Sequence, residues 1–401
     1  MQQSTKPLIL IILDGWGYAD NTVYNAIYSA KKPVWEKLWT ECPRMLIQAS
    51  GTNVGLPAQQ MGNSEVGHMN IGAGRIVKQD LVRINDAIQS NELRNNSNLQ
   101  AIFQYVKKNT NTLHIMGLVS DGGEAVIIDT LFDENLTKDM LKQMKKAEPK
   151  SMKNIVCLVN SHSNGDHCNG NNCVQTNQII SSEATFQEMK NESPETMALL
   201  IKEAPRMGEL GRYFLHCFSH FDFQNVVTRR PNFTFSGKLE KKVGDKTIHL
   251  IEVGPAHTNG DILAFIPKDK IVYTGDILFI EGHPILWAGP IRNWISACDK
   301  ILGMDVDIIV PGHGPVTDKR GVKAVKEYLV YIHDETKIRY KEGMSAVEAS
   351  KDIDLGMFCT WGDRERIAVN VNSLYREFRG EKIREDITLL FSQMAELSNY
   401  D

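Results

Sequence analysis

Runs of apolar residues separated by polar turns recur along the chain of 401 residues. Residues 8–13 are continuously apolar, which predicts a buried parallel strand, because such strands are covered on both faces. Residues 24–39 and 81–88 have helical patterns, and a glycine-rich segment covers residues 51–74. The first third of the chain is therefore predicted to mix one strand with helices.

A β-hairpin is predicted around the turn Ser-Asp-Gly-Gly, because β-rich runs flank it at residues 112–119 and 124–130. The composition changes near residue 123, which we take as a domain boundary. Further predicted elements are a helix at 136–146, strands at 155–162, 247–253, 262–266, 271–274 and 308–310, and a mostly helical tail from 321.

The overall composition is that of a globular protein that can bury a core, with 42% apolar and 23% charged residues. The length suggests two domains. A net charge of -4 gives no electrostatic footprint for nucleic acid or an anionic membrane, so neither partner is expected. Seven scattered cysteines do not resemble a disulfide framework, and the first apolar run is too short for a signal peptide. We expect a cytoplasmic protein.

Four polar motifs follow β-rich runs in the second part of the chain. They read NSHSNGDHCNGN from residue 160, PAHTNGD from 255, YTGDILF from 273 and VPGHGPV from 310. Imidazole and carboxylate ligands from separate strand ends are typical of sites for a borderline divalent ion such as zinc. One such histidine alone would more often be an ordinary residue, whereas the ordered set predicts metal binding. The candidate ligands are His162, Asp166, His167, His257, Asp276 and His313.

The motifs HSNGDH, GPAHTNGD, YTGDILF, GHPILWAGP and VPGHGPVTD, in this order, resemble the metallo-β-lactamase superfamily. The resemblance implies an α/β fold, the αββα sandwich, over residues 124–401. It implies a metal-dependent hydrolase in which metal-bound hydroxide attacks an ester, thioester, lactone or β-lactam. The fold does not choose among these small-molecule substrates.

The resemblance also implies a role for each ligand. His162 and His257 would serve a first metal position, and Asp276 would bridge to a second. That second position would use Asp166, His167 and His313, and Asp166 would also orient the water as the catalytic residue. The expected cofactor is one or two zinc ions, with iron or manganese as alternatives.

Asn164 departs from the superfamily pattern HxHxDH, because it stands where the second histidine is usual. A neutral amide is a poorer zinc ligand than imidazole. We therefore expect Asn164 to be a weak ligand or a neighbour of the metal, with weaker binding at the first position than at the second.

The first 123 residues resemble a different family. The stretches LILIILDGWG, GLPAQQMGNSEVGHMNIGAGRIVKQDLVRINDAI and LHIMGLVSDGG are similar to cofactor-independent (2,3-bisphosphoglycerate-independent) phosphoglycerate mutase, of the alkaline phosphatase superfamily. The resemblance implies a partial alkaline-phosphatase-like α/β fragment over residues 1–123. It implies that Asp14 binds manganese and that Ser64 is the phosphoryl-accepting nucleophile.

The rest of the mutase pattern, with most of its metal ligands, is not visible in this sequence. We therefore expect Asp14 and Ser64 to be a relic that binds manganese only if completed, and we expect no mutase activity. The chain resembles a fusion in which residues 113–119 pair with residues 125–129 and replace a missing strand. Three functions stay open: a metallo-hydrolase, a mutase-like enzyme completed by another chain, and a non-enzymatic fusion. The oligomeric state is also open.

Overall fold

A computed structural model describes residues 10–20, 22–57, 60–79, 82–83, 86, 117–120, 123–191, 193–381 and 386–398. The chain divides into two compact units, Met1–Gln104 and Tyr105–Asp401. The domain boundary near residue 123 was set by composition and resemblance, and it stays a prediction. Within the described residues, no helix combines the length and apolarity needed to cross a membrane.

The described residues of the first unit form short helices and a small apolar cluster. Its described helices are α1 Ala26–Ser29, α2 Pro33–Glu41 and α3 Ser64–Ala73, with a 3₁₀ turn at Gly51–Val54. The predicted helix 24–39 is interrupted before Pro33, because a residue that precedes proline is disfavoured in the helical region. The buried cluster comprises Val54, Leu56 and Val66.

The prediction of a buried strand at residues 8–13 is wrong over residues 10–13. These four residues belong to no strand, and between 43% and 76% of each side chain is exposed. An apolar run becomes a buried strand only when neighbouring strands cover it, and no described residue of this unit supplies one. Residues 8–9 and most of the predicted helix 81–88 lie outside the described residues.

Where the structure describes it, the second unit contains two five-stranded mixed sheets, ordered β1-β2-β3-β4-β5 and β10-β9-β8-β7-β6. The strands are β1 Gly117–Ser120, β2 Ala125–Ile128, β3 Ile155–Val159, β4 Ile179–Ser182, β5 Phe233–Phe235, β6 Lys238–Val243, β7 Lys246–Glu252, β8 Ile262–Ile266, β9 Ile271–Tyr273 and β10 Ile308–Val310. The first sheet is parallel except for its β1–β2 pair, and the second is antiparallel except for its β9–β10 pair.

The predicted hairpin is confirmed where the structure describes it. β1 pairs antiparallel with β2, so that Leu118 lies opposite Ile127 and Val119 opposite Val126. The mutase-like segment therefore supplies β1, the strand at one end of the five that the described residues form in the first sheet.

The helices of the second unit pack on both sheets. They are α4 Glu134–Ala147, α5 Gly165–Cys168, α6 Glu183–Glu188, α7 Pro194–Glu203, α8 Gly208–Phe218, α9 Ile291–Gly303, α10 Lys319–Lys341, α11 Ala346–Asp352, α12 Ile367–Arg379 and α13 Ile387–Leu397. One apolar cluster joins residues of both sheets, including Val126 and Ile128 with Ile248 and Leu250. A second joins the first sheet to α4, and the largest joins the second sheet to α9, α10 and α12. The strands are thereby held rigidly, and their ends can carry a site.

Candidate metal centre

All six predicted ligands lie just beyond the carboxyl ends of strands from both sheets, and the structure brings them together. His162, Asp166 and His167 follow β3, His257 follows β7, Asp276 follows β9 and His313 follows β10. Five of the six side chains are buried, since the shared strand edge is closed by its loops. Asp166 is intermediate, with 17% of its side chain exposed.

The ligand atoms form two groups, and within each group all atoms lie within 4.8 Å of one another. The groups are His162, His257 and Asp276, and Asp166, His167 and His313. The division is the one that the metallo-β-lactamase resemblance implies. That the groups hold metal ions stays a prediction.

Asp276 contacts histidines of both groups. Its Oδ2 lies 3.3 Å from His257 Nε2, 3.6 Å from His162 Nε2 and 3.1 Å from His313 Nε2. Its Oδ1 lies 3.2 Å from His167 Nε2. A single carboxylate is thus placed between the groups, as a bridging ligand requires.

Asp166 contacts both histidines of its own group, the second. Its Oδ2 is 3.4 Å from His313 Nε2 and 3.6 Å from His167 Nε2. Because Asp166 is the most exposed of the six side chains, its carboxylate has the readiest access to solvent.

Asp129 supports two of the predicted ligands and was not among the residues predicted from the sequence. It follows β2 with a positive φ of 61° and is buried. Its carboxylate accepts hydrogen bonds from the Ser161 backbone N–H at 2.6 Å, from Ser161 Oγ at 2.6 Å and from His167 Nδ1 at 3.1 Å. The sequence shows only that a polar residue directly follows an apolar run, and an ordinary turn would have the same pattern.

These hydrogen bonds decide which ring nitrogens carry lone pairs. The Ser161 hydroxyl donates to Asp129, so it can only accept from His162 Nδ1, which lies 2.9 Å away. His167 Nδ1 likewise donates to Asp129. His257 Nδ1 donates to the Ile285 carbonyl oxygen at 2.7 Å. In the neutral rings the Nε2 lone pairs therefore face Asp276.

This arrangement fits a cation. His162 Nε2 is buried and has no hydrogen-bond partner among the described residues, and its lone pair faces the oxygen of Asp276. Converging lone pairs and carboxylates repel one another unless a proton or a metal ion lies between them. The donor set, histidine nitrogen and carboxylate oxygen, is that of zinc and similar divalent ions.

Without an ion, protons are shared unevenly among the ligands. Burial lowers the pKa of His257 to about 4 and holds the pKa of His162 well below its usual value. Burial also opposes the charged forms of His167 and His313, but the neighbouring carboxylates outweigh it and raise both pKa values. The histidines in turn outweigh the burial of Asp276 and hold its pKa well below its usual value.

Close packing fixes the ligands further. The ring of Phe279 stacks on that of His313, with centroids 4.7 Å apart and an interplanar angle of 3°. A Cβ atom at Gly312 would lie 2.0 Å from Asp276 Oδ1, so only glycine fits there. Trp294 is fully buried and donates from Nε1 to the Ile277 carbonyl oxygen.

Asn164 lies beside the first group. It occupies the N-cap position of α5, yet its side chain makes no capping hydrogen bond. Instead, its Nδ2 lies 3.2 Å from His257 Nε2. The residue that departs from the superfamily pattern is therefore in direct contact with a predicted ligand.

The predicted residues of the first unit also lie together. Ser64 Oγ donates to Asp14 Oδ2 at 2.8 Å, and Ser64 is the first residue of α3. His68 Nδ1 lies 3.2 Å from the same hydroxyl. Asp14 and Ser64 are both exposed, and neither belongs to the groups able to hold a metal ion within the described part of the chain.

Curated relatives of this chain are phosphoglycerate mutases. The 2,3-bisphosphoglycerate-independent phosphoglycerate mutase of Legionella pneumophila (strain Corby) is 54% identical over 117 residues, which are 29% of this chain and 23% of that protein. The enzyme of the same name from Trichormus variabilis is 51% identical over 142 residues, 35% of this chain and 26% of the relative. The chain thus spans about a quarter of the length of the curated relatives it matches.

Solved structures point to another similarity. A double mutant of the sec-alkyl sulfatase PisA1 matches with a TM-score of 0.50 and 15% identity, over 66% of this chain and 47% of the other. A metallo-beta-lactamase from Pontibacter korlensis matches with a TM-score of 0.40 and 18% identity, over 54% of this chain and 87% of its own. At this identity, the match to the sulfatase is one of fold alone.

A family model, that of the Metalloenzyme superfamily, matches residues 6–253. The match includes the mutase-like residues Asp14 and Ser64 and the first three ligands of the histidine-rich centre. Because the match covers more than half of its 401 residues, the chain belongs to the Metalloenzyme superfamily.

Proposed function

We propose that this protein is a metal-dependent hydrolase whose active site is the histidine-rich centre of the second unit. The observation that carries the proposal is the convergence of six ligand side chains from four strand ends. Their lone pairs and carboxylates face one another in a buried space, which favours a cation over an empty core.

His162, His257 and Asp276 would hold one ion, and Asp166, His167 and His313 would hold the other, with Asp276 between them. When bound, zinc or a similar divalent ion would polarise the scissile group and lower the pKa of a water molecule. Membership of a metalloenzyme family supports this use of the donor set.

Asp166 is the proposed catalytic residue. Its carboxylate is the most exposed of the six, so it can accept a hydrogen bond from an attacking water, orient it and take its proton. Asp129 keeps His167 turned toward the centre directly and His162 through Ser161. The buried rings exclude bulk water, which strengthens the interaction of these charges with a substrate.

The proposed substrate is a small molecule with an electrophilic carbonyl, an ester, thioester, lactone or β-lactam. The proposed layering is the αββα sandwich, and the proposed chain organisation is a fusion of this hydrolase to a mutase-like fragment. The pairing of the mutase-like strand β1 with β2 supports the fusion.

The test combines metal content, thermal unfolding and hydrolysis of the four substrate classes. We expect one or two equivalents of metal and a transition temperature that falls on chelation. His257→Ala together with Asp276→Asn is expected to abolish hydrolysis and metal binding. His249→Ala is the matched control, since His249 lies on the preceding strand and its side chain is 37% exposed. Purified protein without metal and without a cooperative transition would favour the non-enzymatic fusion.

A second candidate function is phosphoryl transfer by the first unit. The hydrogen bond between Ser64 Oγ and Asp14 Oδ2 favours it, because a nearby metal-binding carboxylate is what a serine nucleophile needs. Two ligands cannot hold a metal tightly, so the activity would need completion by another chain. Conversion of 3-phosphoglycerate to 2-phosphoglycerate with manganese and the completing chain, abolished by Ser64→Ala, would establish this function, and conversion by the pure chain would show that no completion is needed.

A further inference from the structure

Asn164 is positioned to cap its own helix but does not. Asparagine is among the best N-cap residues because its side chain accepts a hydrogen bond from the backbone of the first turn. Asn164 precedes α5 with an extended backbone, at φ -65° and ψ 143°, and makes no such bond. Its side chain is directed at His257 instead. The Asn164 side chain therefore contacts a histidine of the first ligand group and not the backbone of its own helix.

The chemistry of His257 determines which end of the amide faces it. Since His257 Nδ1 donates to the Ile285 carbonyl oxygen, Nε2 carries the lone pair and can only accept. The amide must therefore present its NH₂ group, and Asn164 Nδ2 is at hydrogen-bond distance, 3.2 Å. That lone pair is the one with which His257 would bind an ion.

We propose that Asn164 is a latch on the first metal position, which makes the two positions of the centre load in sequence. This inference rests on the proposed metal centre. An ion enters the second group, Asp166, His167 and His313, without disturbing Asn164. An ion in the first group must break the hydrogen bond from Asn164 to His257 before it can use the nitrogen.

Truncation of the Asn164 side chain distinguishes a latch from a poor ligand, because the two roles predict opposite changes in metal affinity at the first position. If Asn164 were only a poor ligand, its removal would weaken the first position. If it is a latch, its removal frees the His257 lone pair. Releasing one hydrogen bond of ordinary net strength should tighten the first position by about 2- to 13-fold.

The experiment is a calorimetric titration of zinc into the metal-stripped full chain. The variants are Asn164→Ala, which removes the latch, and Asn164→Asp, whose carboxylate cannot donate and is itself a ligand. Asn177→Ala is the control, because Asn177 is an exposed residue of the loop before β4. Nitrogen-15 NMR of the histidine rings would report which Nε2 atoms are coordinated at one and at two equivalents.

We expect wild type to bind one tight equivalent, with the His257 signal unchanged until a weaker second equivalent is added. Asn164→Ala should tighten that second step, and Asn164→Asp should bring the two steps to similar affinity. Two equally tight equivalents in wild type, or a weaker second step in Asn164→Ala, would overturn the latch and leave the hydrolase proposal intact. Absence of zinc binding by every variant would overturn both.

Discussion

The two candidate sites of this chain differ in how their residues are held. In the second unit, six ligand side chains converge from four strand ends, and five of them are buried. In the first unit, Ser64 Oγ lies 2.8 Å from Asp14 Oδ2, but both residues are exposed. Both candidate sites contain sequence motifs that resemble those of a known enzyme family. A metal site also needs a full ligand count and a supporting layer, and these are found only at the histidine-rich centre among the described residues.

The surrounding cores differ in the same way. Three buried clusters hold the strands and helices around the histidine-rich centre. The first unit buries a cluster of three residues and exposes the apolar residues 10–13. Rigid strand ends can fix ligand geometry, whereas an uncovered apolar segment contributes little to holding a site. The following predictions test whether the two sites differ because of the packing and hydrogen bonds around their residues, and not because of their sequence motifs.

The largest effect is expected from removing the support of the histidines. Asp129→Asn replaces an acceptor of three hydrogen bonds by an amide whose NH₂ group faces the Ser161 hydroxyl or His167 Nδ1. Metal affinity should fall by about 10- to 100-fold, the usual cost of losing such a partner. Competition with a chelator measures it. Asp305→Asn, at an exposed ion pair with Lys270, is the control and should change nothing.

The next effect concerns packing. Gly312→Ala would place a methyl group 2.0 Å from Asp276 Oδ1, so the loop after β10 or the carboxylate must move. Unfolding free energy should fall by about 1–3 kcal/mol, the cost of overpacking. Urea denaturation measures it, with Gly303→Ala as the control because a Cβ there meets nothing within 4 Å. Equal stability of the two variants would show that the strand end is looser than its packing indicates.

A smaller effect is expected from pH. The carboxylates Asp276 and Asp166 outweigh burial and raise the pKa of His167, and that of His313 is raised as well. Stripped protein near neutral pH therefore carries protons on ligands that a metal must displace, so zinc affinity should rise with pH above about 6.5. Proton release on zinc addition in weak buffer measures it. Zinc binding without proton release would contradict these protonation states.

The smallest effect is expected from the first unit. Ser64→Ala removes a hydroxyl from an exposed position, and such changes usually alter free energies by less than about 0.5 kcal/mol. Hydrolysis should stay within about twofold of wild type. Loss of hydrolysis in this variant would mean that the active site was assigned to the wrong unit.

The sequence predicted which six side chains would converge, but it did not predict the residues that support them. Each ligand motif follows a recognisable apolar run, and the carboxyl ends of neighbouring strands meet at one edge, so convergence could be expected. Asp129 could not be singled out, because its role depends on contacts with residues 32 and 38 positions later in the chain. Hydrogen bonds between distant segments leave no local pattern.

The same reasoning explains the errors in the fold. Strand β6 reads KLEKKV and was missed, since Lys241 stands between the apolar positions Leu239 and Val243 on the face that is covered when β7 pairs with it. The helices α6, α7 and α8 were missed with it, although each begins as helices usually do, near serine, proline or glycine. Conversely, residues 10–13 have strand composition, but no strand among the described residues covers them. Whether a segment is buried depends on the neighbour that packs against it, so burial cannot be assigned from the sequence of that segment alone.

Strand β1 belongs to one part of the chain by sequence similarity and to the other by its hydrogen bonds. By sequence it falls in the predicted mutase-like residues 1–123, and by hydrogen bonding it is the first strand of the sheet that carries His162. A chain shortened to begin at residue 124 would leave β2 without its β1 partner, whereas a chain that begins at residue 105, where the compact units divide, would retain the hairpin. The predicted boundary and the pairing of β1 with β2 therefore disagree, and a truncation placed at that boundary would remove a strand from the sheet.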